Sequence, residues 1–102
     1  MRTADALPSP MRDQTPVTVR VVYLARLREA FATAGESLAV PAGPEATVAA
    51  VLDTLRRRGG PFAAELAPGR AVRVAINHAM AKPTDALRDG DEVALFPPVT
   101  GG

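Results

Sequence analysis

Thr47 is followed by Val48, Val51, Leu52 and Leu55, four apolar residues spaced i, i+3, i+4 and i+7. That spacing gathers them on one face of an α-helix, and Thr47 is a residue type that caps a helix start. A helix with a single apolar stripe has to bury it against another element. The flanking sequence offers strands. Val17, Val19, Val21 and Tyr23 alternate with Thr18, Arg20, Val22 and Leu24, and Val72, Val74 and Ile76 alternate with Arg73 and Ala75. Such a period of two is that of a half-buried strand. At 102 residues the chain is one small domain, long enough to bury a core without a metal or a disulfide.

Residues 1–16 hold Pro8, Pro10 and Pro16 among small and polar residues without periodicity. They read as a disordered leader, with Met11 an alternative start. After the first strand, Ala25 to Thr33 is rich in helix formers and predicts a short helix closed at Gly35. Ser37 to Val40 predicts a second strand, ended by Pro41-Ala42-Gly43-Pro44. The capped helix from Thr47 ends in Arg56-Arg57-Arg58, where positive charge complements the helix dipole, with Gly59 at C′. Phe62 to Leu66 predicts another helical turn. Asn77-His78 predicts a tight turn into a short strand at Ala79 to Ala81. Asp89-Gly90-Asp91 is a turn before a last strand, Glu92 to Phe96. The sum is an α+β roll in which one sheet covers one principal helix.

Composition narrows the chemistry. The chain has no cysteine, which excludes disulfides, thiolate metal sites and cysteine nucleophiles, and His78 is its one histidine, which excludes a metal site built on several histidines. The formal net charge is +1 and only 4% of residues are aromatic, so nucleic acid finds neither a strong basic patch nor a stacking platform. No apolar run reaches membrane-spanning length and no signal-peptide segment opens the chain, so a cytoplasmic protein is the default.

The tail is the least ordinary stretch. Phe96-Pro97-Pro98-Val99-Thr100 is stiff and extended, because each proline fixes its own φ and biases its predecessor towards extended backbone. Gly101 and Gly102 follow, and without Cβ atoms they can lie in a narrow slot or directly on a ligand. The expectation is that Gly102 presents a free, reacting α-carboxylate on a rigid stalk.

Strand parity supplies a second candidate. With the valines of the first strand on the helix-covered face, Thr18, Arg20, Val22, Leu24, Arg73, Ala75, Glu92, Ala94 and Phe96 fall on the other. Leu24 and Phe96, joined by Met80 on the short strand, would form an apolar patch near the tail, and such patches mark interaction surfaces.

The strand order, the stretch Val74-Ala75-Ile76-Asn77, the run Leu87-Arg88-Asp89-Gly90-Asp91-Glu92-Val93 and the ending Phe96-Pro97-Pro98-Val99-Thr100-Gly101-Gly102 resemble the small subunit of molybdopterin synthase, a sulfur carrier of the MoaD and ThiS type. The resemblance covers residues 17–102. Thiamin-pathway sulfur carriers are similar in fold and terminal glycines but typically lack the double proline. The resemblance implies a β-grasp, ubiquitin-like roll with a mixed sheet, a body spanning residues 17–96 and an extended tail, 97–102. It implies that a ubiquitin-activating-type adenylyltransferase uses ATP to adenylate Gly102. A persulfide donor would then convert Gly102 to a thiocarboxylate, whose sulfur goes to a cyclic pyranopterin phosphate. It further implies that Leu24, Arg28, Met80 and Phe96 dock the activating enzyme and the large synthase subunit. The tail from Phe96 through Pro97, Pro98, Val99, Thr100 and Gly101 would enter the large subunit's active site. Two large and two small subunits would assemble, and the chain itself would hold no cofactor and no metal.

Other features read as structure. Leu55-Arg56-Arg57-Arg58-Gly59-Gly60 imitates a basic Gly-Gly tail, but cutting there would separate the first strands from the last. Asp89, Asp91, Asn77 and His78 read as turn formers. Lys82, the one lysine, needs no function. Rival readings are a carrier for thiamin or another sulfur-containing product, a ubiquitin-like modifier of protein lysines, and a plain binding module using the Leu24 and Phe96 face.

Overall fold

The computed structural model describes residues 15–98. The residues of the expected leader before position 15, and Val99, Thr100, Gly101 and Gly102 of the expected tail, lie outside the described residues. The elements run β1 (Val17–Tyr23), α1 (Arg26–Phe31), β2 (Gly35–Val40), a 3-10 turn (Gly43–Glu45), α2 (Val48–Arg56), α3 (Gly60–Glu65), β3 (Arg73–Ile76), β4 (Ala79–Ala81) and β5 (Glu92–Phe96).

The strands form one sheet in the order β2-β1-β5-β3-β4. β1 and β5 pair in parallel, Tyr23 opposite Leu95, while β1–β2, β3–β5 and β3–β4 are antiparallel. A mixed sheet with its first and last strands at the centre and one main helix across a face is the β-grasp roll expected from the sequence.

α2 forms where its pattern places it. The Thr47 hydroxyl accepts from the Ala50 N–H at 3.4 Å. The Val48 and Ala49 amides, orphaned at a helix start, donate to the carbonyls of Asp85 and Pro83. The loop leading towards β5 therefore caps the helix. Val48, Val51 and Leu55 are fully buried against Val19, Val21, Val74, Val93 and Leu95 from the sheet. Truncating any one of these large side chains to alanine would cost about 2–5 kcal/mol through lost contacts and a cavity.

Two glycine readings need correction. Gly35 does not close α1: Ala32, in the left-handed region at φ 58°, is the C-cap. Gly35 starts β2 instead, and a Cβ there would lie 2.6 Å from the Val21 carbonyl oxygen, so glycine is needed for strand approach. Gly59 is not at C′ of α2. That helix ends at Arg56 with Arg57 as its cap, and Gly59, at φ 76°, starts α3. The tight turn at Asn77 and His78 is present, with φ of 50° and 73°. Asp89 and Asp91 are turn residues as expected: Asp89 accepts from the Thr18 amide at 2.8 Å, and Asp91 from the Arg88 amide at 2.8 Å and the Asn77 side chain at 2.9 Å.

One polar cluster ties β1, β2 and the end of α2 together. The Tyr23 hydroxyl donates to Glu36 at 2.6 Å, and Arg58 grips the same carboxylate with two donors at 2.7 and 2.8 Å. The Arg58 guanidinium also covers the Phe62 ring at 4.9 Å. Phe62 stacks on Phe31 at 4.2 Å, which meets Tyr23 edge-on at 4.8 Å. Burial, followed by the bond to Glu36, pushes the Tyr23 phenol well above its usual range. The bonds from Arg58 hold the Glu36 carboxyl below the usual carboxylate value, against a smaller opposing effect of burial.

A carboxyl whose pKa is lower in the folded chain stabilises fully above its unfolded value, near 4.3, and loses that contribution as pH falls through the folded value. Glu36→Gln should therefore cost about 2 kcal/mol at neutral pH, the size of a charge-assisted hydrogen-bond loss. Denaturant titrations of both chains should converge as pH falls below the unfolded value and through the lower folded one. A deficit that does not shrink in acid would contradict this role for the carboxylate.

Candidate functional site

Among the described residues, the sheet has one face under α2 and one without a helix. Inter-strand register assigns the open face in rows. Val22, Ala94, Ala75 and Met80 are successive partners across β1, β5, β3 and β4. The next row towards the end of β5 joins Phe96 to Arg73, and the Leu24 amide continues the ladder by donating to the Leu95 carbonyl at 3.0 Å. Because β1 and β5 are parallel, their ends reach the same rim, so Leu24 and Phe96 arrive there together. Parity read from the sequence places these residues on the open face, and the structure agrees.

Leu24 and Met80 are the exposed large apolar residues of the described chain, at 42% and 62% of full accessibility. Ala75 is buried, and Val22, Ala94 and Phe96 are half-buried. Phe96 is thus less open than its pairing with Leu24 suggests. Pro97 and Pro98, the first residues of the tail, are also half-buried. Arg28 is exposed on α1, one turn beyond Leu24, and pairs with no carboxylate among the described residues. The four residues proposed from the sequence for docking therefore divide: Leu24 and Phe96 share one rim, Arg28 is exposed on α1 beyond it, and Met80 lies on the edge strand two strands from Phe96.

Ala25 sets the position of Leu24, and nothing in the sequence marks it. Its φ of 52° and ψ of −129° match the first central residue of a II′ turn, normally glycine. The Leu27 amide donates to the Leu24 carbonyl at 3.1 Å, closing that turn. The reversal turns β1 straight into α1 and leaves the Leu24 side chain at the bend. Strain of this kind costs about 1–3 kcal/mol and is concentrated at functional positions.

No three His, Cys, Asp or Glu residues lie close enough to hold a metal among the described residues, and no helix there is long and apolar enough to cross a membrane. The displaced pKa values of Tyr23 and Glu36 belong to the cluster on the α2 side, since Glu36 pairs with Val21 in β2. The exposed apolar side chains of Leu24 and Met80 give this face the character of a surface that suits recognition by another protein.

Comparison with known proteins decides the family: residues 21–102 match the ThiS family. The chain belongs to it. Two curated relatives carry the name molybdopterin synthase sulfur carrier subunit. The one from Escherichia coli is 33% identical over 82% of this chain and 99% of its own length. The one from Haemophilus influenzae is 44% identical over 56% of this chain and 69% of its own. Among solved structures, the small archaeal modifier protein SAMP1 of Haloferax volcanii is similar, with 28% identity and a TM-score of 0.66 over 83% of this chain and 99% of that one. The β-grasp fold is thus shared with a protein named a modifier.

Ala25→Gly tests the strained turn. Glycine would relieve the left-handed strain at an unfolded-state entropy cost of about 0.4–1 kcal/mol, leaving a net gain of about 1 kcal/mol. Thermal unfolding should shift upward by about 4–8 °C for a domain of this size. A lower midpoint would show that Ala25 is not strained.

Proposed function

We propose that this chain is a cytoplasmic sulfur carrier subunit of a molybdopterin synthase, with Gly102 as the atom-bearing residue. The observation that carries the reading is continuity: β5 runs from the buried pair Val93 and Leu95 through Phe96 into Pro97 and Pro98 at the rim of the open face. The Phe-Pro-Pro-Val-Thr-Gly-Gly tail, the ThiS-family match and the shared name of both curated relatives support it.

A carboxylate is a poor electrophile, because oxide would have to leave. In this reading a ubiquitin-activating-type adenylyltransferase lets the Gly102 carboxylate attack the α-phosphorus of ATP, expelling pyrophosphate and forming an acyl-adenylate. A persulfide sulfur then attacks the acyl carbon, and AMP leaves with the electron pair of the broken C–O bond. A second donor thiol cleaves the acyl disulfide, forming a donor disulfide and leaving the thiocarboxylate. The thiocarboxylate is anionic at neutral pH, the state in which sulfur is nucleophilic. The large subunit receives the tail and holds this sulfur beside a cyclic pyranopterin phosphate at high effective concentration. Two loaded carriers supply the two sulfurs of a dithiolene.

Each part of the chain has a task in this account. Leu24, Arg28, Met80 and Phe96 seat the partner. Pro97 and Pro98 stiffen the exit, Val99 and Thr100 extend it, and Gly101 keeps it narrow. The chain binds no cofactor of its own, and proton transfer and phosphate binding fall to the partner. The likeness to SAMP1 supports a second reading, in which the same activated Gly102 acylates a protein amine.

Adding one residue after Gly102 should abolish sulfur loading and dithiolene formation in a reconstituted synthase while leaving the circular dichroism spectrum unchanged. Loading of the extended chain to the level of the original would refute Gly102 as the carrier. Isopeptide-linked Gly102 on target proteins, found by digestion and mass spectrometry, would favour the modifier reading.

A further inference from the structure

A groove of about 400 Å³ lies at the end of the sheet where β3 begins and β4 ends, adjoining the open face at Met80 and Arg73. Its apolar floor includes Leu52 of α2 with Val72 and Val74, and its rim carries Arg70, Arg73 and Lys82. No carboxylate lines it. Arg70 is committed to Glu65 at 3.0 Å, and Glu65 also pairs with Arg26 at 3.2 Å. Arg73 and Lys82 are exposed and enter no ion pair among the described residues. Asp85, the nearest acid in sequence, accepts from the Lys82 backbone amide at 2.9 Å in the local turn.

Folding gives no reason for this arrangement. Continuing the β3–β4 register one residue past Val74 and Ala81 brings Lys82 opposite Arg73, and like charges directly across strands destabilise a sheet. β4 is an edge strand, so its outer backbone groups are open to a further strand. The groove also adjoins the proposed docking face: Met80 lines it, and Arg73 pairs with Phe96 at the tail root.

We propose that this groove seats an acidic, extended segment of the large synthase subunit, so that the partner holds the carrier by the β4 edge as well as by the open face. The proposal rests on the synthase reading above. Opposite charge across the contact sets register and speeds encounter, which positions the tail for entry. The positive rim also discriminates against partners that lack the acidic segment.

The test compares matched single-charge removals in the full chain, titrated calorimetrically against the purified large subunit at low and at physiological salt. Arg73→Gln and Lys82→Gln should each weaken binding several-fold, and the double variant at least tenfold with a shallower salt dependence. Arg57→Gln, at an exposed pair with Asp53 on α2, should bind as the original chain does. Equal affinity and salt dependence for all variants would overturn the groove while leaving the carrier reading intact. The same result would follow if inorganic phosphate binding fell in the double variant but large-subunit affinity did not. An original chain that fails to bind the large subunit would sink the synthase reading and this proposal with it.

Discussion

The structure depends on the parallel pairing of β1 with β5, the first and last strands of the sheet. Antiparallel neighbours can be joined by a hairpin, but a parallel pair needs a long crossover. Here α1, β2, α2, α3, β3 and β4 all lie in the connection between the two strands. The pairing places Val19, Val21, Val93 and Leu95, each at most 1% exposed, at the centre of the core. It also sends both strands to the same rim, which is why Leu24 and the root of the tail meet although 72 positions separate Leu24 from Phe96. The Leu24 rim and the root of the tail are joined by a main-chain ladder bond, so a partner that held the rim would also fix where the tail begins.

This arrangement separates two requirements. The α2 side supplies stability: the buried stripe, the capping loop at Pro83 and Asp85, and the Tyr23–Glu36–Arg58 cluster with its aromatic neighbours. Among the described residues the open side is left without a helix, and in the proposed reading it supplies recognition. Its apolar residues are small near the middle, at Ala75 and Ala94, and large at the margins, at Leu24 and Met80. Such a shallow surface can accept a broad partner without closing around a small molecule. The strained turn at Ala25 stands at the junction of the two sides.

Much of this was legible in the sequence. Period-two valines gave the strands and their faces, and Thr47 with its stripe gave α2, because those signals are local and recur. The placement of Leu24 and Phe96 on the open face followed from parity alone, since a strand side chain has two directions to choose from. The reasons for Gly35 and Gly59 were misread because a glycine signals freedom without saying which contact demands it. Gly35 answers to the Val21 carbonyl on a neighbouring strand, which no local pattern reveals. Ala25 was invisible for the opposite reason, as alanine conceals a left-handed turn. The Tyr23–Glu36–Arg58 cluster joins residues from three elements, and the groove at Arg73 and Lys82 needed the β3–β4 register before its charges could be placed together.

The central claim is that the chain carries sulfur on its last glycine. The most direct measurement is intact mass, followed by mass spectrometry of the terminal peptide, after incubation with ATP, the adenylyltransferase and a persulfide donor. A sulfur carrier of this kind should show a mass gain equal to exchange of one oxygen for sulfur, confined to Gly102 and dependent on ATP. An unchanged mass, or sulfur mapped to any other residue, would contradict it.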